Sequence, residues 1–477
     1  MAKEAAKDDL LYEKNFRDSL GNVTQTGKRL KIYPKKPRGR YHTARRFTSA
    51  LLLLFLFTAP FIKVGGHPLL LFDILGRKFV LFGLPFWPQD FHLFLLAMLA
   101  GVIAVVLFTT VFGRLWCGWA CPQTVFMEMV FRKIEYWIEG DASSQRRLDQ
   151  APLSAAKIAR KTLKHGLFFA LSFAVANTFL AYIIGVDELW IIITDPPSQH
   201  LQGLGIITLF SLVFYGVFAR FREQACIVVC PYGRFQSVMV NRETLAVTYD
   251  HPRGEPRSKL SRGATAAGAG DCIDCKQCVH VCPTGIDIRN GIQMECVNCT
   301  ACIDACDTIM DRVEKPRGLI RYASLNSLQE RGNNSRQTLR VVGYSTILVG
   351  LLGALVFLFA TRPDFQAVIL REPGQLFNEL PGDRYSNFYR YKIINKTFAQ
   401  MPVSIRLQDS PQGVITLLGP LQPVDPQAII EGRFFVALPA QAVKPGRNPI
   451  HFSVYSGDEL IDTIESGFLA PPRKQIP

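Results

Sequence analysis

The chain has 477 residues, of which 48% are apolar and 19% are charged, and its formal net charge is +15. A soluble domain usually carries about 25% charged residues, so this chain is poor in charge for its length. Twelve cysteines in so long a chain exclude a small disulfide-stapled secreted scaffold, and the apolar fraction excludes a wholly disordered chain. A membrane protein is the class that remains.

Five apolar runs are long enough to cross a membrane, which takes about 20 mostly apolar residues. They lie at about 47–65, 91–112, 165–186, 203–221 and 338–360. Any single run would also suit a buried helix of a soluble core, but five in one chain favour membrane spans. About 46 polar and charged residues precede the first run, so we do not expect a secretory signal peptide.

Basic residues near the span ends predict the orientation, because the cytoplasmic flanks of spans collect Lys and Arg. Nine lie in 28–46, eight each in 132–164 and 219–262, and six in 315–340, whereas 187–202 has none. We therefore expect the amino terminus inside the cell and the carboxy-terminal tail outside. These flanks, and contact with anionic membrane lipid, account for the positive charge, so we expect no nucleic-acid partner.

All 12 cysteines lie between residues 117 and 306, in segments predicted to face the cytoplasm. Disulfides are rare there, so the pattern favours thiolates that bind metal or carry redox chemistry. The strongest motif, C-x2-C-x2-C-x3-C, occurs twice, and its first copy is followed by Pro283, as in bacterial ferredoxins. In such pairs the fourth cysteine of each run ligates the other cluster. We therefore predict one [4Fe–4S] cluster at Cys272, Cys275, Cys278 and Cys306, and a second at Cys296, Cys299, Cys302 and Cys282.

Zinc is the alternative occupant of these cysteines. Zinc sites normally take four ligands from two C-x2-C knuckles, and two triplet-plus-one runs fit that arrangement poorly. The second run departs from the ferredoxin pattern where Asp307 replaces the proline. Acidic residues around both runs are expected to keep the cluster potentials low. They are Asp271, Asp274, Asp287, Asp304 and Asp307.

A second repeat, C-x3-C-P-x3-F, follows the second and the fourth predicted span. Its copies are Cys117-x3-Cys121-Pro122-x3-Phe126 and Cys226-x3-Cys230-Pro231-x3-Phe235. Cysteines four residues apart share one face of a helix, so two packed hairpins would bring four thiols together at the cytoplasmic membrane surface. Such a set suits Cu(I), zinc or an iron–sulfur cluster, and inert buried thiols are the alternative. Two copies favour a redox or metal role, and the spacing leaves the bound species open.

Aromatic and basic residues flank the first copy of this repeat. We expect Trp116 and Trp119 to anchor the chain at the membrane interface, where Trp is common. Arg114 is placed to lower a thiolate pKa, although a cytoplasmic flank explains it equally well. The segment 123–140 is predicted to form an amphipathic helix in the interface.

The tail, 361–477, changes to short runs with β-like composition, separated by turn signals such as Pro381-Gly382-Asp383. The seven runs lie at about 365–371, 386–396, 403–408, 414–419, 430–438, 448–455 and 460–469. Seven short strands in this length predict an immunoglobulin-like β-sandwich. The paired Cys and core Trp of antibody domains are absent from the tail, so we expect the sandwich architecture with a docking or stabilising role.

The combination resembles the CcoG/RdxA/FixG family over essentially residues 28–477. The resemblance implies a polytopic α-helical protein of the bacterial inner membrane, with about five spans, a cytoplasmic dicluster 2[4Fe–4S] ferredoxin-like domain and a periplasmic immunoglobulin-like sandwich. The implied divisions are a basic segment at 1–46, the membrane region at 47–225, a cytoplasmic segment at 226–337 with the ferredoxin domain at about 266–312, the fifth span at 338–360, and the sandwich at 361–477.

The resemblance also implies an activity, the reduction of Cu(II) to Cu(I) during assembly of a high-affinity haem–copper cytochrome c oxidase. The implied partners are copper ion, a copper-exporting ATPase, oxidase assembly factors and an electron donor of unspecified nature, and a homo-oligomer is left open. Low-potential clusters are suitable one-electron donors. We expect copper to be handled at or near the catalytic cysteines, Cys117, Cys121, Cys226 and Cys230.

Two other functions fit the same features. A quinol-linked membrane ferredoxin, acting as a respiratory electron-transfer hub, would share the C-x3-C-P hairpins, and a non-enzymatic scaffold would only hold oxidase subunits. The sequence has neither a G-x-G-x-x-G nor a G-x4-G-K-[ST] phosphate loop, which is evidence against a self-contained NAD(P)H oxidoreductase.

Overall fold

The computed structural model describes residues 31–471 except 75–77, 87–89, 260–267, 330–334, 364, 375, 398 and 409–411. The described residues form two compact units. One contains the chain up to Leu71 together with Phe94–Ala354, and the other contains Phe72–Leu93 together with the chain from Leu355. The predicted ferredoxin segment therefore belongs to the same unit as most of the membrane region. The other predicted domain boundaries stay predictions.

Five helices of the described residues are long and apolar enough to cross a membrane, as the sequence predicts. The first starts at Arg40 and the third at Ala155, seven and ten residues before the apolar runs do, because their first turns carry polar and basic residues. The fifth span buries none of its apolar stretch inside the protein, which suits contact with lipid. The spans are Arg40–Phe61, Phe91–Phe112, Ala155–Ile184, Leu201–Phe221 and Leu339–Ala360.

Shorter helices connect the spans to the cysteine-rich segments. The predicted interfacial helix runs from Pro122 to Ile138 and includes a π-helical stretch at Val125–Phe131, and Gly140 follows it with a φ of +84°. Two further π-helical turns lie at Val217–Phe221 and Ala225–Val229. The remaining α-helices are Leu115–Trp119, Ala142–Gln150, Val186–Thr194, Pro231–Met239, His251–Gly254, Gln277–His280, Ala301–Arg312 and Leu325–Leu328.

Five short strands lie between the first two spans, in the part of that segment that the structure describes. They are β1 (Lys63–Val64), β2 (His67–Pro68), β3 (Leu70–Asp73), β4 (Lys78–Leu81) and β5 (Leu84–Phe86). The first two pair with each other, and the other three form a sheet in the order β3-β4-β5.

A two-stranded sheet joins the two ends of the ferredoxin segment. Strands β6 (Ala246–Tyr249) and β7 (Ile320–Ala323) pair antiparallel, with Val247 opposite Tyr322. Between them the chain makes the two cysteine runs, so the strands bring both ends of the segment together. Its core contains apolar side chains and three of the cysteines themselves, namely Val247, Tyr249, Ile288, Ile303, Met310, Leu319, Ile320, Cys272, Cys278 and Cys306.

The carboxy-terminal residues form two antiparallel sheets, so the sandwich architecture is confirmed. The strands are β8 (Phe365–Arg371), β9 (Asn378–Leu380), β10 (Arg384–Asn395), β11 (Val403–Leu407), β12 (Val414–Leu417), β13 (Ile429–Pro439), β14 (Gly446–Ser456) and β15 (Glu459–Ala470). One sheet has the order β12-β13-β10-β8 with β9 also on β10, and the other has the order β11-β14-β15. Each of the seven predicted runs coincides with a strand. Strand β9 was not predicted, because three residues are too few to show an alternating pattern.

Aromatic rings fill the space between the two sheets. Tyr389, Phe434 and Phe452 are fully buried, and their ring centroids lie 5.2–5.5 Å apart. A charged cluster in the same unit joins the start of the second span to the sandwich, because buried Asp90 pairs with Arg362 at 2.6 Å and with Lys396 at 2.8 Å. This unit contains none of the cysteines.

Candidate metal centres

The two ferredoxin runs adopt the same local conformation. The second residue after the first cysteine, Asp274 or Asn298, has φ near +50°, and so has the residue after the second cysteine, Lys276 or Thr300. Left-handed non-glycine residues are uncommon and concentrate at functional loops. Each run then enters a helix, with its third cysteine in the first turn. The motif therefore folds twice into one loop that wraps its cysteines around a common centre.

The structure brings together the four cysteines predicted for the first cluster. Cys272, Cys275, Cys278 and Cys306 line one small cavity, and this group is called the first cluster site. Burial raises the pKa of the Cys278 thiol to about 12, against the opposing effect of Arg289. Loading such a site replaces S–H protons by metal.

The cysteines predicted for the second cluster also line one cavity, which they share with Cys278. Cys282, Cys296, Cys299 and Cys302 are called the second cluster site. Burial raises the pKa of Cys282, against hydrogen bonds to its sulfur from the backbone of Ile286, Thr284 and Gly285. The crossed pairing, with the fourth cysteine of each run at the other site, is the geometry present in the fold. Eight soft thiolate donors in two sets of four fit two [4Fe–4S] clusters.

The acidic residues near the clusters have ion-pair or hydrogen-bond partners, and their effect on the cluster potentials stays a prediction. Arg289 contacts both Asp274 and Asp287 at 2.6 Å, and Arg253 contacts Asp271 at 2.6 Å. Two more acids in the second run bind the backbone. Asp307, which replaces the ferredoxin proline, accepts from the amide of Gly318 at 3.0 Å, and Asp304 accepts from the amides of Tyr41 and His42. These contacts tie the acids to neighbouring parts of the ferredoxin segment and to the start of the first span.

The two C-x3-C-P copies share the same turn at the second cysteine. The amide of Cys121 donates to the carbonyl of Trp116 at 2.9 Å, and the amide of Cys230 donates to the carbonyl of Ala225 at 2.8 Å, each spanning five residues. Each of these cysteines is the N-cap of a helix whose first residue is proline, which has no amide hydrogen to leave unsatisfied. The repeat therefore places each second cysteine at a helix amino terminus, where the dipole favours negative charge.

The thiols of the two copies are near enough to affect one another's pKa. Burial, the largest cause, raises the pKa of Cys117 to about 11, and the neighbouring Cys121 and Cys230 add to the rise. Burial likewise raises the pKa of Cys226 to about 12, with contributions from Cys117, Cys121 and Cys230. Cys226 therefore interacts with both cysteines of the first copy, and Cys117 interacts with Cys230 of the second. Cys117, Cys121, Cys226 and Cys230 are called the four-thiol site.

A buried glutamine borders the four-thiol site. The Cys117 thiol donates to Oε1 of Gln236 at 3.4 Å. Gln236 is 0% exposed, and its Nε2 has no hydrogen-bond partner among the described residues. An unpaired buried donor is costly, and here it belongs to a side chain that contacts a candidate ligand. Gln236 was not predictable from the sequence, because nothing in the repeat marks the sixth residue after Cys230.

The four-thiol site adjoins the second cluster site. Cys117 packs against the buried core that contains Val297 and Cys299. A Cβ built on Gly118 would lie 2.6 Å from the carbonyl oxygens of Val297 and Asn298, so only glycine allows this approach. The three sites therefore lie in the order first cluster site, second cluster site, four-thiol site.

Arg45 of the first span forms hydrogen bonds with the backbone of both the four-thiol site and the second cluster site. Its side chain is buried, and it donates to the carbonyl of Gly118 at 2.9 Å and to the carbonyl of Cys299 at 3.0 Å. In the sequence, Arg45 is only one of nine basic residues on a predicted cytoplasmic flank. Its role was not predictable, because both acceptors are backbone atoms far away in the sequence.

Two residues near the first copy have contacts beyond those predicted. Trp119 donates from its indole nitrogen to the hydroxyl of Tyr322 at 3.0 Å, so it binds the ferredoxin segment in addition to any contact with the interface. Arg114 donates to the carbonyls of Gly233 and Met294 and holds the pKa of Cys117 below the value that burial alone would give. Trp116 is 48% exposed, as an interfacial anchor would be.

Several basic residues counted as cytoplasmic flanks are buried in ion pairs. One pair lies within the helix that follows Cys121 and two join that segment to its neighbours, and opposite charges compensate one another. They are Arg132 with Glu128 at 3.2 Å, Lys164 with Glu139 at 2.9 Å, and Arg222 with Glu135. Part of the positive charge attributed to lipid contact is therefore neutralised within the protein.

Comparison with known families matches three parts of the chain. A model described as a 4Fe-4S dicluster domain matches residues 221–325, one described as a 4Fe-4S binding domain matches 94–140, and one described as the Ig-like fold at the carboxy terminus of FixG matches 355–471. The Nitrogen fixation protein FixG of Rhizobium meliloti is 32% identical over 86% of this chain and 87% of its own length. The chain belongs to the CcoG/RdxA/FixG family.

Two other relatives, both from one organism, agree with this family assignment. Protein RdxA of Cereibacter sphaeroides is 35% identical over 77% of this chain and 80% of its own, and Protein RdxB of the same organism is 32% identical over 82% and 86%. A crystal structure of a FixG-related protein from Vibrio parahaemolyticus, 18% identical, covers 22% of this chain and 95% of that chain with a TM-score of 0.20. As a member of this family, the protein is a membrane-bound iron–sulfur protein with two [4Fe–4S] clusters and electron-transfer chemistry.

Proposed function

We propose that the protein reduces Cu(II) to Cu(I) at or beside the four-thiol site, for assembly of a haem–copper cytochrome c oxidase. The observation that carries the proposal is the contact between Cys117 and the core around Cys299. Through this contact the four-thiol site, with its soft sulfur donors, lies next to the second cluster site, which is a one-electron centre. The clusters, when bound, supply single electrons, and Cu(II) needs one electron to become Cu(I).

The residues of the four-thiol site suit copper chemistry in two respects. Sulfur ligands select Cu(I) over Cu(II), so a surface of thiols favours the reduced product. The neighbouring guanidinium of Arg114 and the two helix amino termini favour thiolate over thiol. The guanidinium of Arg114 opposes the burial that raises the pKa of Cys117.

We further propose that the cysteine-bearing segments face the cytoplasm of a bacterial inner membrane and that the sandwich faces the periplasm. The bias of Lys and Arg supports this orientation, and the position of all 12 cysteines between residues 117 and 306 agrees with it, because thiols stay reduced in the cytoplasm. In this arrangement a copper-exporting ATPase and oxidase assembly factors would receive the Cu(I).

A reductase assay on the full chain tests the proposal. Protein purified without oxygen in detergent is reduced with dithionite, freed of excess reductant and mixed with Cu(II), and Cu(I) is followed with a chromogenic chelator. We expect the variant with Cys117, Cys121, Cys226 and Cys230 all changed to Ser to keep the iron and the EPR signals of the two cluster sites, and to lose copper reduction. Normal reduction by this variant would contradict the proposal.

A quinol-linked electron-transfer hub is the second candidate, and one cavity favours it. The cavity has a volume of 310 Å³, which is at the lower end of small-molecule sites. It lies where the second span ends, at Gly113 and Arg114, and Cys296 of the second cluster site forms part of its wall. A quinol in the membrane surface would reach a cluster there. Reduction of the clusters by a short-chain quinol, blocked by Met294→Trp in the cavity wall, would favour this function.

A further inference from the structure

We propose that the second cluster site has the higher reduction potential of the two, so that electrons entering the protein collect on the cluster next to the four-thiol site. The two cluster sites are neighbours, because Cys278 of the first site also lines the cavity of the second. The order of the potentials is argued from the groups around each site and does not depend on copper. Its use in Cu(II) reduction rests on the proposed function.

The residue after the fourth cysteine of each run decides how the chain continues. The two runs end alike, as Cys282-Pro283-Thr284 and Cys306-Asp307-Thr308. Pro283 cannot continue a helix and disfavours helical backbone at the residue before it, so the helix Gln277–His280 ends and the chain turns. Asp307 has no such effect, and the helix Ala301–Arg312 continues through the fourth cysteine of the second run.

The turn at Pro283 directs hydrogen-bond donors to the sulfur of Cys282, which belongs to the second cluster site. The hydroxyl of Thr284, which is 2% exposed, lies 3.3 Å from that sulfur, and backbone amides of 284–286 donate to it as well. A metal-bound cysteine has lost its proton, so the hydroxyl then donates to the sulfur. Donors of this kind stabilise the extra electron of a reduced cluster and raise its potential.

The helix around Cys306 directs the corresponding groups away from the first cluster site. Thr308 is exposed, and its hydroxyl donates to the carbonyl of Asp304 at 2.8 Å. The backbone amides that follow Cys306 belong to the same helix, where amides donate to carbonyls four residues back. The two threonines therefore hold the same place after a ligand cysteine and have different partners.

The buried charges favour the same order of potentials. Arg45 is 3% exposed and donates to the carbonyl of Cys299 at 3.0 Å, so its positive charge stays uncompensated by that acceptor beside the second cluster site. Arg289, which lines the first cluster site and is 4% exposed, contacts the carboxylates of both Asp274 and Asp287 at 2.6 Å. One cation with two anions leaves a net negative charge. Positive charge stabilises a reduced cluster, and negative charge opposes reduction.

Two groups act against this order, and each is outweighed. Tyr249 lines the first cluster site and forms a hydrogen bond with one of its cysteines, but its single proton is shared with the carboxylate of Glu255 at 3.2 Å. Glu295, at the start of the second run, is 8% exposed. Its negative charge is offset by Arg114, whose guanidinium lies 3.4 Å from the carbonyl oxygen of Cys296.

A redox titration followed by EPR tests the order. Full-length protein is reconstituted with iron and sulfide without oxygen, and copper is left out. Cys275→Ala should leave only the second cluster intact, and Cys302→Ala only the first, so the midpoint potential of each cluster is measured alone. We expect the higher midpoint in Cys275→Ala. An equal or lower midpoint in this variant would overturn the proposal.

Thr284→Val tests the hydrogen bond in protein that keeps both clusters. The change removes the hydroxyl and nearly keeps the shape, so it should move the midpoint of the second cluster to a more negative value and leave the first unchanged. Thr308→Val is the matched control and should shift neither midpoint. Arg45→Met should also lower the second midpoint alone, whereas exposed Arg46→Met should not. Unchanged midpoints in both Thr284→Val and Arg45→Met would contradict the proposal.

The order of the potentials and the reduction of copper can fail separately. If the midpoints have the expected order and the reduced protein does not reduce Cu(II), the proposed function alone is wrong. If Cu(II) is reduced and the first cluster has the higher midpoint, this inference alone is wrong.

Discussion

The ferredoxin segment and the four-thiol site are built from the same kind of residue in opposite ways. The eight ferredoxin cysteines come from one run of 35 residues, Cys272–Cys306, and local loop geometry places most of them. The four thiols come from two hairpins more than 100 residues apart, and only tertiary packing joins them. A site encoded by one continuous segment should survive changes that destroy a site assembled from two.

The largest effect that separates the two kinds of site is expected from Gly118→Ala. The new Cβ would lie 2.6 Å from the carbonyl oxygens of Val297 and Asn298, so the loop that carries Cys117 must move away. Overpacking against backbone costs about 3 kcal/mol. We expect the EPR signals and iron of the two cluster sites to remain, while Cu(II) reduction falls to the level of the variant without the four thiols.

A second glycine provides the control for this change. Gly101 lies in the second span, and a Cβ built on it meets nothing within 4 Å, so Gly101→Ala should leave both iron content and Cu(II) reduction unaltered. If Gly118→Ala reduced copper at the wild-type rate, the close approach of the two sites would not matter for electron transfer.

A somewhat smaller effect is expected from Arg45→Met. The guanidinium satisfies the carbonyls of Gly118 and Cys299, and its loss leaves both without that donor. Losing a buried hydrogen-bond partner costs about 1–3 kcal/mol. We expect a lower midpoint of thermal unfolding and slower reoxidation of the reduced clusters by Cu(II), both followed optically. Exposed Arg46 is the matched control, and Arg46→Met should change neither; equal effects of the two variants would refute a bridging role for Arg45.

The difference between the two regions also explains what the sequence could predict. The pairing of Cys272 with Cys306, and of Cys282 with Cys296, follows from motif spacing, and the fold has that arrangement. The strands of the sandwich follow from alternation. The convergence of the four thiols was predictable only as a consequence of the repeat, since it requires that two hairpins pack together.

Residues whose partners lie far away in the sequence escaped prediction. Arg45 and Gln236 belong to no motif, and their partners are a distant carbonyl or a thiol on another hairpin. Trp119 has the composition of an interfacial anchor, yet it binds Tyr322. Arg132 and Lys164 are buried in ion pairs. A count of basic residues in the sequence does not distinguish them from basic residues that contact lipid. In each case the decisive information is tertiary.

The smallest effect is expected within the ferredoxin segment, from Arg289→Gln. Buried Arg289 contacts Asp274 and Asp287 and lines the first cluster site. Its loss should destabilise this site by about 1–2 kcal/mol and accelerate loss of the first cluster's EPR signal on heating, while the second cluster and the four-thiol site persist. Arg317 is the control, because its pair with Asp311 is exposed, and Arg317→Gln should have no measurable effect.

The pH dependence of the Arg289 effect has a defined sign. Burial alone would raise the pKa of Asp287, but hydrogen bonds from Arg289 outweigh it and hold that pKa below its usual value. A carboxylate with a lowered folded pKa contributes stability that is fully present above about pH 4 and is lost as the pH falls through the folded pKa. The difference in unfolding midpoint between wild type and Arg289→Gln should therefore stay constant from about pH 8 to about pH 5. A difference that shrinks across this range would show that Arg289 acts through a group other than these carboxylates.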